Sequence, residues 1–140
     1  MLVKLLSNQI DAYQDVITET LEKTLPEYQQ NMKTQLFEEL LSDKAQCWIV
    51  HKDSGGFEGV GITRFKEDLS IGVKVLEVVS AYAFNGTTSS TFLKAFNEMR
   101  KFALKHDCNR LAAYTNNEEI IKYVRMFPIL WETTYFQLEL

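Results

Sequence analysis

Glu77 and the segment that follows it are where this chain could do chemistry. Glu77 stands between Leu76 and Val78 in an apolar run from Val73 to Phe84. A carboxylate partly withdrawn from water has a raised pKa and can take a proton from an ammonium group. The plainer reading is a carboxylate that faces solvent or pairs with a lysine across a sheet. The run continues into Phe84-Asn85-Gly86-Thr87-Thr88-Ser89-Ser90, and an amphipathic stretch follows from about Ser90 to His106. A strand that feeds small residues into a helix start leaves backbone N–H groups and the positive helix end at one spot, which is how a fold cradles phosphate. Thr and Ser hydroxyls could add donors there. Helix capping by Ser89, Ser90 or Thr91 explains the same residues without a ligand.

Other chemistries lack support. His51 and His106 have no companions at ligand spacing, so no metal site is expected. No Ser/His/Asp or Cys/His arrangement has local backing. Cys47 and Cys108 lie far apart; one disulfide is possible in principle, but they read better as two isolated, buried thiols of an intracellular protein, taken as cytoplasmic. The net charge is −4, and Lys and Arg form no cluster beyond two or three residues, which argues against an extended nucleic-acid face. Met1 to Leu6 is too short for a signal segment, and no apolar run reaches membrane-spanning length.

The elements that would position Glu77 and the turn follow from periodicity. The 140 residues, 46% apolar and 24% charged, suit one domain over 1–140 with a sizeable core. Met1 to Leu6 alternates weakly, as a first strand. Ser7 or Asn8 opens a helix whose face is Ile10, Tyr13, Ile17, Leu21 and Leu25, ended by Pro26. A second helix carries Met32, Leu36, Leu40 and Leu41, closed by Ser42-Asp43. Cys47 to His51 and Gly59 to Phe65 flank the turn signal Asp53-Ser54-Gly55-Gly56 as a hairpin, and Lys66-Glu67-Asp68 reads as a loop. Val73 to Phe84 is the longest strand. Strict alternation puts Val75, Val79, Ala81 and Ala83 on one face and Leu76, Val78, Tyr82 and Phe84 on the other. The third helix buries Phe92, Ala95, Phe96, Met99, Phe102 and Ala103. Then come a strand, Leu111 to Tyr114, a helix, Glu118 to Phe127, stopped by Pro128, and a last strand, Leu130 to Leu140. Trp48 and Trp131 read as core or interface anchors.

This order resembles that of the GNAT (general N-acetyltransferase) superfamily over essentially the whole chain. Three segments carry the resemblance. Trp48-Ile49-Val50-His51 with Gly55-Gly56-Phe57-Glu58-Gly59 is similar to the family's second and third strands. Val75 to Ala103 is similar to its acetyl-CoA motif. Asn117-Glu118-Glu119-Ile120-Ile121-Lys122-Tyr123-Val124-Arg125-Met126-Phe127-Pro128-Ile129 is similar to its N-x-x-x-I-x-x-Y-x-x-x-G-F segment. The fold implied is α/β (α+β), a mixed, mainly antiparallel sheet flanked by helices.

The resemblance implies a pantetheine cleft between the strands near Ala81 and Tyr114. Acetyl-CoA would be held by Val79, Ala81, Gly86, Thr87, Thr88, Ser89, Ser90 and Asn117. Glu77 would be general base through water, and a tyrosine, Tyr82, Tyr114 or Tyr123, would be general acid. Asn116 or Asn117 also reads simply as a helix N-cap, and the tyrosines as core rings. The family's loop, Q/R-x-x-G-x-G/A, is matched here by Phe84, Thr87 and Ser89 with Gly86 alone as glycine, although glycines let backbone approach pyrophosphate. The family tyrosine position holds Val124, with Tyr123 beside it, and Pro128-Ile129 replaces Gly-Phe. These departures resemble GNAT-like proteins of tailed phages. They favour a non-catalytic module that binds protein, in a phage particle or host cytoplasm, itself able to form a homo-oligomer. The alternative is an acetyl-CoA-dependent N-acetyltransferase acting on an amine.

Overall fold

The computed structural model describes residues 2–25, 27–52, 54–68, 70, 72–83, 88–113, 118–128 and 138. Their strands, β1 (Leu2–Lys4), β2 (Ala45–His51), β3 (Phe57–Asp68), β4 (Val73–Ala83) and β5 (Arg110–Ala113), form one sheet in the order β1-β2-β3-β4-β5. The first three neighbours pair antiparallel and β4 pairs β5 in parallel, as the crossover helix between them requires. Helices α1 (Gln14–Thr24) and α2 (Lys33–Leu41) accompany one face, and α3 (Ser89–Lys105) the other; α4 (Glu118–Val124) contacts α3. The mixed, mainly antiparallel sheet flanked by helices is thus observed. Among the described residues, no helix is long and apolar enough to cross a membrane.

Two clusters of buried residues divide the sheet. Ile17 and Leu21 of α1, Leu36 and Leu40 of α2, and Cys47, Ile49, Val60 and Ile62 of the strands make one core. On the other face Trp48, Leu76 and Val78 meet Met99 and Ala103 of α3 and Cys108. The buried indole of Trp48 donates to Thr63 Oγ1 at 2.9 Å, and Thr63 in turn donates to Gln46 Oε1 at 2.8 Å, so the polar groups at that core's edge are satisfied. Cys47 and Cys108 are both free and buried.

Several boundaries differ from those read in the sequence. The first helix begins at Gln14; Ser7–Gln9 and Asp11–Tyr13 are separate tight 3₁₀ turns, the first fastened by Gln9 Oε1, which accepts from the Leu6 amide at 2.8 Å. Neither Ser7 nor Asn8 is the cap. The carbonyls at the end of α1 are met by Gln30, whose side-chain amide reaches Leu25 O at 2.7 Å. Leu41 is 50% exposed, not on the buried stripe of α2. Lys66, Glu67 and Asp68 are strand, not loop: they face Val75, Lys74 and Val73, and the Glu67–Lys74 pairing of opposite charges favours the longer ladder. The strand at Leu111 to Tyr114 is observed as Arg110–Ala113, and the helix at Glu118 to Phe127 as Glu118–Val124 with a turn after it. The strand expected at Leu130 to Leu140 lies outside the described residues apart from Leu138, which is exposed.

The departure that matters most for function is in β4. Ile62 faces Ser80, and its neighbour Thr63 faces Val78, so β4 carries one extra residue, Val79. Such a bulge bends the strand and reverses which residues point to which face. Leu76 and Val78 face α3. Beyond the bulge it is Ala81 that joins that cluster, while Val79 packs into the α1–α2 core and the Ser80 hydroxyl bonds to Thr24 of α1. Strict alternation through the strand is therefore wrong, because period-two reading cannot register an inserted residue.

Candidate functional site

The ladder between β4 and β5 runs from Val75–Arg110 to Val78–Ala113, and the bulge begins at the next residue of β4. Beside that junction lies a cavity of about 210 Å³ between the sheet, α3 and α4. Its walls include Val78 and Ala81 of β4, Ala113 of β5, Phe92 and Phe96 of α3, and Val124 of α4. These come from well-separated parts of the chain and are brought together by the parallel crossover from β4 through α3 to β5.

The start of α3 points its first N–H groups out of the helix. The N-cap is Thr88, in extended backbone, whose Oγ1 accepts from the Thr91 amide at 3.2 Å. The same hydroxyl donates to Thr91 Oγ1 at 3.1 Å, and Thr88 O accepts from Phe92 N. Capping thus falls one residue earlier than Ser89, Ser90 or Thr91, because Thr88 alone has the extended conformation a cap needs. The amides of Ser89 and Ser90, in the first turn, have no intrahelical acceptor and suit an anion. Gly86, Thr87, Asn116, Asn117 and Tyr114 lie outside the described residues.

Glu77 is 7% exposed and sits at the β4 position directly opposite Arg64. Its carboxylate is 3.6 Å from Arg64 Nη2 and 3.8 Å from Lys66 Nζ, so it pairs with cations across the sheet. Among the described residues, Glu77 is not on the cavity wall. Val79 turns its side chain to the opposite core, whereas Ala81 is on the wall. Tyr123 is buried, its ring 5.2 Å from that of Phe92, and its hydroxyl donates to Glu119 Oε1 at 2.8 Å. That hydrogen bond, aided by burial and the glutamate charge, holds the Tyr123 phenol above its usual pKa. A phenol so held stays protonated, as a general acid must, but gives its proton less readily. On the other face Tyr82 accepts a hydrogen bond from Lys23 Nζ at 3.3 Å.

Two carboxylates on the wall escaped the sequence reading, Glu58 and Glu119. Glu58 is the extra residue of a second bulge, where Val50 faces Gly59 and His51 faces Phe57; no local pattern announces that turn of its side chain. Glu119 was legible as the residue four positions before Tyr123, the spacing at which helix side chains meet.

The residues present fit a pantetheine-borne thioester: an apolar cavity, a bent strand edge beside it, and first-turn helix amides. No family model matches the chain, and no curated protein matches it in sequence. Solved structures do match in fold. A ribosomal-protein-alanine N-acetyltransferase from Brucella melitensis superposes with a TM-score of 0.70 at 11% identity, covering 100% of this chain and 99% of that one. A predicted acetyltransferase from Clostridium acetobutylicum, solved with acetyl-CoA, gives 0.72 at 7% identity, with 99% and 95% covered. A GNAT family acetyltransferase of Staphylococcus aureus gives 0.66 at 8% identity, with 100% and 98% covered. At these identities the likeness is one of architecture, and the chain has the GNAT fold.

Proposed function

We propose that this chain is an acyl-CoA-dependent N-acyltransferase that binds its thioester donor at the β4 bulge. One observation carries the reading: the bulge at Val79 ends the described β4–β5 ladder where an apolar cavity and the start of α3 converge. When bound, the cofactor supplies an activated acyl thioester. The chain supplies the rest. Ser89 and Ser90 amides would take the pyrophosphate, with Gly86, Thr87 and Thr88 before them and Asn117 on the pantetheine arm. Ala81 and the Val79 backbone would line the acyl end. A carboxylate, Glu77 through water or Glu119 on the wall, would receive the amine's proton, and Tyr123 would protonate the leaving sulfur. The acceptor amine, a protein partner, self-association and a cytoplasmic setting belong to the same proposal.

A second reading is favoured by Glu77 itself. Two cations already claim its carboxylate, and the Tyr123 hydroxyl is given to Glu119. Such a site suits a module that binds protein without catalysis, as in a tailed-phage particle. Acetyl-CoA at millimolar concentration separates the two. A ligand at a hundred times its Kd adds about 2.7 kcal/mol, several degrees in Tm for a domain of this size. A shift of that order, with thiol release in the presence of amines, supports the enzyme. An unchanged Tm supports the module.

A further inference from the structure

We propose that the cavity beneath the N-terminal half of α3 houses an aliphatic chain, so that the donor is a medium-chain acyl thioester in place of acetyl-CoA; this rests on the acyl-CoA reading above. The floor of the cavity is unusually bare. Gly59 lies across from Ala83 and Gly61 across from Ala81, so these two rungs of the β3–β4 ladder, with Val60–Tyr82 between them, offer nothing larger than a methyl group. On the opposite face the same stretch of β3 presents Val60 and Ile62, both buried. The bareness is built in. A Cβ on Gly59 would lie 3.0 Å from the backbone oxygen of Tyr82, and one on Gly61 would lie 3.0 Å from Met99 Cε.

The roof does not close the gap. Along α3 only Met99 and Ala103, in the second half, are buried; Phe92, Ala95 and Phe96 are half-buried. The two phenylalanine rings, which stand on the cavity wall, are engaged by other rings. They stack on each other at 5.7 Å, and Phe92 meets Tyr123 at 5.2 Å and Phe96 meets Phe127 at 4.6 Å with the rings tilted. They thereby brace α3 against α4, so that Met99 covers Gly61 while the nearest atoms to a Cβ on Gly59 are β4 backbone. Protein interiors seldom leave such a volume without a guest, and an apolar one favours an apolar guest over water. At about 30 Å³, the share of one water in the liquid, 210 Å³ has room for about seven groups of that size, enough for a chain of medium length.

The direction of entry follows from the walls. The cavity touches Val78 and Ala113 at the β4–β5 junction and extends under α3 to Gly61 and Trp48. A thioester seated at the bulge can therefore run its acyl tail along the glycine floor.

Calorimetric titration with CoA, acetyl-CoA, butanoyl-CoA, octanoyl-CoA and palmitoyl-CoA tests this, with free octanoate as a probe that carries no CoA. Each buried methylene tightens binding about fourfold at best. The expected result is affinity that rises with chain length, octanoyl-CoA at least tenfold tighter than acetyl-CoA, and a loss of that gain at palmitoyl-CoA. Ala95→Leu, which grows from the roof into the space, should erase the octanoyl advantage; should that variant fail to fold, the chain-length series on the unaltered protein decides alone. Equal affinity for acetyl-CoA and octanoyl-CoA overturns the acyl cavity and leaves the CoA reading standing. Binding of no CoA compound overturns both, and octanoate binding without any CoA ester does so too, because the tail would then enter with no thioester at the bulge.

Discussion

Arg64 stands directly across the sheet from Glu77, its Nη2 3.6 Å from the carboxylate, and both side chains are largely withdrawn from water. A charge so placed is expensive to leave alone. Exposed pairs contribute at most about 1 kcal/mol, whereas removing one partner of a fully buried pair costs about 3–5 kcal/mol. Glu77→Gln should fall between, losing about 1–2 kcal/mol in urea denaturation, and Arg64→Met together with Glu77→Gln should recover part of it. If Glu77 is also the general base, kcat/KM falls at least tenfold in the single variant. Unchanged stability in Glu77→Gln would show that the pair contributes nothing.

Tyr123 provides a pH test. The fold favours its protonated form, since its pKa lies above the ordinary 10.0. The associated stability is therefore present below pH 10 and is lost as pH rises through the raised folded value. In an ultraviolet titration, wild type minus Tyr123→Phe should show one phenol ionising later than 10. Glu119→Leu, which removes both the accepting oxygen and the charge, should bring that midpoint down; a midpoint at or below 10 in wild type would contradict the hydrogen bond.

Asp107 is held at φ 61 just past the end of α3, and the Cys108 amide closes the turn on Ala103 O at 2.9 Å. That left-handed conformation costs an L-residue about 1–2 kcal/mol, and a carboxylate there also opposes the helix dipole. Asp107→Gly should raise stability by about 0.5–1 kcal/mol, read as a higher Tm. A lower Tm would mean that the aspartate makes a contact worth more than the strain.

Leu76 and Phe96 should respond unequally to truncation. Leu76 is wholly buried under α3, so Leu76→Ala should cost about 2–5 kcal/mol. Phe96 is half-buried on the cavity wall, where the space already exists, and Phe96→Ala should cost about 1–2 kcal/mol. Equal losses on the chemical denaturation curve would place Phe96 in the packed core after all.

The order of elements was legible because each rests on local chemistry. Ile17 and Leu21 mark the buried face of α1, the Gly55-Gly56 turn marks the hairpin, and the small hydroxyl residues before Phe92 mark the start of α3. The site was legible only in part. Its position at the β4-to-α3 connection follows from a strand feeding a helix, which chain order alone reveals. What lies on its walls does not follow. The bulges at Val79 and Glu58 are decided by how β4 and β3 fit their neighbours, and each shifts side chains to the other face without a mark in the residues around it. The ion pairs that engage Glu77 come from Arg64, set opposite it by the register of one antiparallel ladder, and from Lys66, two residues further along the same strand and opposite Val75. The cavity is likewise a property of the assembly. Gly59, Gly61, Ala81 and Ala83 are unremarkable singly, and become a floor only when two rungs align beneath a helix whose aromatic rings are engaged elsewhere.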